Sequence, residues 1–219
     1  MQRSSPLWLL RTMGYLMVLL VGLLAVSCSP RPQFRGTDLD PPISPGQFQL
    51  QDQWGQVRSL ADLRGRVTIL TFMYTHCPDV CPVHAALLQR ASVNLGEEAR
   101  DLAIVVVSVD PKGDTQEAAL RFSQAHQMVD RWWYLVGTWQ ELEPVWGHYY
   151  VANEAQSAQD DGLHDHSDEE GGGQQGSVFH SAPVYVLDRM GRARVVITGF
   201  FFEPEDLVHD IRLLLQERG

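Results

Sequence analysis

A chain of 219 residues with 44 % hydrophobic content is long enough to bury one good-sized core, with an anchor and a tail left over. Its formal net charge of −10 argues against nucleic-acid binding, which requires a basic face. At the N-terminus Arg3 and Arg11 precede TMGYLMVLLVGLLAVSC, an uncharged, mostly apolar stretch that reads as an export signal or membrane anchor over residues 1–28. The stretch between Arg11 and Cys28 is shorter than the roughly 20 residues of a spanning helix, unless Leu7 to Leu10 extend it and Arg11 snorkels. The ending LAVSC resembles a degenerate bacterial lipobox, in which Cys28 is lipidated and begins the mature chain. A lipoprotein is expected first, then a membrane span, then free secretion. Each places the folded part outside the cytoplasm, facing a bacterial periplasm or the cell exterior.

Residues 29–46, SPRPQFRGTDLDPPISPG, have the Pro, Gly and polar content of a flexible tether, so the folded domain is expected over 47–219. FQLQDQWGQVRSL alternates around a turn and predicts a β-hairpin, with SLADLRG as a short connection. RVTILTFMYT is rich in β-branched and aromatic residues and predicts a buried strand. AALLQRASVNLG has helical apolar spacing and a terminal Gly, and DLAIVVVSVD is the continuous apolar run of a buried parallel strand. DTQEAALRFSQAH predicts an amphipathic helix opened by a capping box between Asp114 and Glu117. WWYLVG is a short strand, and TWQELEPVWGHYY a helix that Pro144 kinks or shortens.

Residues 154–176 hold seven acids and neither Lys nor Arg; this composition buries nothing and predicts a mobile insertion. Without those seven charges the remainder falls from −10 to −3, so the acidity of the chain belongs mostly to this loop. APVYVLDRMGRARVVITGF and EPEDLVHDIRLLLQERG then predict a hairpin and a C-terminal amphipathic helix. The element order is α/β, with a cysteine pair closing the first central strand, as in a thioredoxin-like fold. In that fold a cis-proline begins the strand facing the cysteines, and Pro183 stands at that position.

With Cys28 assigned to the membrane end, Cys77 and Cys81 in YTHCPDVCPVH are left for the domain. As a structural staple the pair is weak, because closing so short a loop removes little unfolded-state entropy. Residues four apart on a helix lie about 6.2 Å apart at Cα, within disulfide range. A helix N-terminus favours thiolate, which is both a nucleophile and a metal ligand. Two soft thiolates with one imidazole suit copper, whereas structural zinc wants four ligands. His180, three residues before Pro183, is the candidate third ligand.

MYTHCPDVCP, VVVSVDPKGDT and FHSAPVYVLD, in this order, resemble the Sco/SenC family of copper proteins that assist cytochrome c oxidase assembly. The resemblance implies a membrane-anchored thioredoxin-like domain that binds a copper ion through Cys77, Cys81 and His180. It implies as partners a copper donor protein and the copper-bearing oxidase subunit, whose dinuclear site receives the metal. Such a chain is a metallochaperone rather than a turnover enzyme. The alternative is a thiol-disulfide oxidoreductase that keeps the target cysteines reduced, and Pro183, thioredoxin-like where the family has an ordinary apolar residue, adds weight to it. Asp79 and Asp110 match acidic positions of the family and are candidates for partner docking or for supporting the ligands; the bland reading is that they cap the helix start and the following turn. His164 and His166, two apart among carboxylates, are read as part of the solvated loop rather than a second metal site. His76 and His84 are read as tuning or surface residues, not ligands.

Overall fold

The computed structural model describes residues 33–151, 182–199 and 201–217. Cys28, the acidic insertion with His164 and His166, and His180 all lie outside the described residues. Among those described, no helix is long and apolar enough to cross a membrane.

Strands β1 (Thr37–Ile43), β4 (Val67–Met73), β5 (Leu102–Ser108), β6 (Trp133–Leu135), β7 (Val184–Leu187) and β8 (Ala193–Ile197) form one sheet in the order β1-β8-β7-β4-β5-β6. β4, β5 and β6 run parallel, while β7, β8 and β1 are antiparallel to their neighbours. β2 (Gln49–Gln51) and β3 (Val57–Ser59) make the expected hairpin, a separate two-stranded sheet. The helices are α1 (Val80–Leu95), α2 (Gln116–Ala125), α3 (Trp139–His148) and α4 (Pro204–Gln216).

All seven residues of β4 and of β5 are buried, as central parallel strands covered on both faces must be. Alternation divides them. Val67, Ile69, Met73, Ile104 and Val106 meet Leu88 of α1, Phe122 of α2 and Ile211 of α4, while Leu70, Phe72, Val105 and Val107 meet Leu142, Val145 and Trp146 of α3. The sheet therefore separates two apolar cores in a three-layer α/β domain of thioredoxin-like kind, with the cysteine pair where β4 gives way to α1.

Three expectations change. The segment read as a tether over 29–46 contributes β1, which pairs with β8. It is tied further by α4, where the carboxylate of Asp210, fully buried, accepts the backbone N–H groups of Arg35 and Gly36 at 2.8 Å each. The Pro content had concealed a strand that lies at a sheet edge, where Pro is tolerated. Secondly, the N-cap of α2 is Thr115, whose hydroxyl accepts Ala118 N–H at 3.1 Å; Asp114 is turned inward instead. Thirdly, the one cis peptide bond among the described residues is Asp40–Pro41, so Ala182–Pro183 is trans. Just before β7 the Pro183 carbonyl accepts the Thr71 hydroxyl at 3.0 Å. Pro144 lies inside α3, which continues to His148.

Candidate metal centre

Met73 ends β4, and its carbonyl accepts Val109 N–H at 3.0 Å, which holds the end of β4 against the end of β5. The chain then turns through Tyr74 to Asp79, with Cys77 N–H donating to Tyr74 O at 3.3 Å. α1 begins at Val80. Pro82 is thus its third residue, where an N–H has no intrahelical partner to lose. Asp79 is the N-cap but makes no side-chain cap bond, so the helix-capping role read for it is not made. Its backbone matters more: the amides of Asp79 and Cys81 both donate to the Cys77 sulfur, the latter at 3.4 Å.

Both cysteines are unbridged and buried, Cys77 at 7 % exposure and Cys81 at 1 %. A hydrogen bond from the Cys81 thiol, with those amides and the Tyr74 hydroxyl, pulls Cys77 down from 9.0 to about 5 against the opposing effect of burial. Cys81 is pushed up, first by that same hydrogen bond and then by burial, with the charge of Asp114 adding to it. Burial and the neighbouring Cys77 raise Tyr74 to about 12. The pair therefore shares its protons unequally: the outer sulfur is the thiolate and the inner one holds the proton. Two sulfurs at one helix start, one already ionised, suit a soft cation.

His84, one turn further along α1, is fully buried and lies edge-on to Phe202 with ring centroids 5.4 Å apart. It is a packed residue of the core layer rather than a surface one. His76 is exposed, and its Nδ1 lies 3.1 Å from the Thr75 hydroxyl. Ligand atoms of His76, Asp110 and Asp114 come within 4.8 Å of one another. Asp110 uses Oδ1 to accept the N–H groups of Lys112 and Gly113 at 3.2 and 2.9 Å, closing the turn after β5. The residue missed in the sequence is Asp114, which is 5 % exposed and bonded to Thr75, Ser108 and Tyr134. Its capping-box spacing pointed to the helix behind it, and nothing local betrays partners in or just beyond three separate strands.

The family model described as SCO1/SenC matches residues 37–216. The chain belongs to the SCO1/SenC family. The mouse mitochondrial protein SCO2 homolog is 30 % identical over 180 residues, which cover 78 % of this chain and 62 % of that protein. The chain spans about half to two thirds of the length of such curated relatives. Among solved structures, Bradyrhizobium japonicum ScoI with copper bound is 26 % identical with a TM-score of 0.60, covering 78 % of this chain and 99 % of that one. A SCO1/SenC family lipoprotein from Bacillus anthracis is 25 % identical with a TM-score of 0.64, covering 81 % and 99 %. The match beginning at residue 37 agrees with β1 being part of the domain.

Proposed function

We propose that this SCO1/SenC protein carries copper outside the cytoplasm, anchored to the membrane through its N-terminal segment, and delivers it to the dinuclear copper site of cytochrome c oxidase during assembly. The observation that carries the reading is the thiol pair itself: Cys77 and Cys81 are adjacent, unbridged and buried at the head of α1, in a family whose B. japonicum member holds copper. Bound there, copper is cargo, and soft sulfur ligands suit its Cu(I) form. His180 is the proposed third ligand. In its favour, β7 pairs with β4 through Thr71 and Val184, so β7 begins beside the strand end that leads to the cysteines, and His180 precedes Val184 by four residues in sequence. Lipidation at Cys28 is the proposed anchor, a form that the B. anthracis relative's description as a lipoprotein supports. A copper donor protein and the copper-bearing oxidase subunit are the proposed partners.

A second reading, thiol-disulfide exchange with the target's cysteines, is favoured by the unequal pair: an ionised outer sulfur attacks and an inner thiol resolves. The two readings ask different things of His180, since disulfide exchange needs only the cysteines. His180→Ala is expected to weaken copper binding, more for Cu(II) than for Cu(I), and to abolish oxidase maturation, while the Cys77–Cys81 disulfide still forms. Wild-type affinity for both copper states together with normal maturation in His180→Ala would replace the three-ligand site with the oxidoreductase reading.

A further inference from the structure

Two residues before Cys77, Thr75 is held by a single buried group. Its backbone N–H and its hydroxyl both donate to Asp114 Oδ1, at 2.8 and 2.7 Å. The other oxygen of the same carboxylate accepts the Ser108 hydroxyl at 2.6 Å and the Tyr134 hydroxyl at 3.2 Å. Ser108 ends β5, Tyr134 lies in β6, and Thr75 follows β4, so one side chain fastens three parallel strands at the edge that carries the thiols. A backbone N–H can only donate, and the Ser108 oxygen already accepts Asp110 N–H at 3.1 Å, which leaves its own proton for Asp114. The pocket is thus built for a carboxylate whose acceptor positions are all filled, and Asp114 has no lone pair left to serve as a metal ligand. Burial pushes the Asp114 carboxyl up, and the bonds from Ser108 and Thr75 oppose that push in favour of the carboxylate; because Thr75 stands two residues before Cys77, the group lies directly behind the thiol turn.

We propose that Asp114 is a positioning residue of the thiol site: it fixes the turn between Thr75 and Cys77 against β5 and β6, and its buried negative charge favours Cu(II) over Cu(I) between the sulfurs. A fixed anion stabilises a doubly charged ion more than a singly charged one, and burial keeps water from screening the difference. The inference rests on the copper reading above for its second half only. Positioning is a property of the metal-free chain.

The test uses the full-length protein and the variants Asp114→Asn, Asp114→Ser, Thr75→Val and Thr75→Ser. In the reduced, metal-free protein, amide hydrogen exchange from Thr75 to Cys77 is expected to speed up several-fold in both Asp114 variants and in Thr75→Val, and to return to the wild-type rate in Thr75→Ser. In the copper-loaded protein, the neutral Asp114 variants are expected to lose about tenfold in Cu(II) affinity relative to Cu(I), raising the copper reduction potential, whereas Thr75→Val keeps the wild-type ratio. A merely structural role would not separate the two sets. Native-like Asp114 variants with wild-type exchange and a wild-type Cu(II) to Cu(I) ratio would overturn the proposal, as would failure of both to fold, which would make Asp114 a folding residue. If the wild-type chain takes up no copper, the copper reading falls, and the exchange measurement still decides the positioning claim.

Discussion

At the scale of single residues, the site works through unlike sulfurs. Cys77 receives two backbone amides, a Tyr74 hydroxyl and the Cys81 thiol, all of which favour its anion. The folded-state value of about 5 lies below the ordinary 9.0. The thiolate therefore stabilises the reduced fold fully above the unfolded value, and that contribution is lost as pH falls from there through about 5. Alkylation of Cys77 by iodoacetamide in the reduced, metal-free protein should accordingly reach half its maximal rate near pH 5, with Cys81 protected at neutral pH. A half-maximum near 9 would mean that the amides and the Cys81 proton do not act on the sulfur as described.

At the scale of elements, β4 to α1 is the working unit and β1 is its outer brace. Sequence patterning reveals the first readily, because continuous apolar runs identify β4 and β5 and the paired prolines mark the start of α1. It hides β1, whose residues are mostly polar and include Pro41 and Pro42. Beyond its pairing with β8, the strand is held at its entry by α4, whose fully buried Asp210 accepts the Arg35 and Gly36 amides. A Cβ at Gly36 would come 2.5 Å from Val195 Cγ1, so the chain passes too close to β8 for any larger residue. Asp210→Ala removes a buried charged acceptor from two part-buried backbone N–H groups and is expected to cost about 1.5–2 kcal/mol of stability, read by denaturant unfolding. A loss under roughly 0.5 kcal/mol, the scale of an ordinary surface change, would show that β1 is not braced in this way.

At the scale of the whole molecule, the family was legible because its chemistry is concentrated in short runs, YTHCPDVCP above all, while Asp114 was not, because Thr75, Ser108 and Tyr134 are brought to it only by the parallel order of β4, β5 and β6. Pro183 shows the converse: a residue in the position that the fold assigns to a cis bond is trans. His84 looked like part of the motif and is a core residue. The central claim is that the two thiols, completed by His180, hold one copper ion. Copper stoichiometry and affinity measured on the reduced full-length protein, with Cys77→Ser, Cys81→Ser and His180→Ala beside it, test this most directly. One copper per chain is expected, with stoichiometric binding lost in either cysteine variant and weakened in His180→Ala. Stoichiometric, wild-type binding that survives Cys77→Ser or Cys81→Ser would contradict the account.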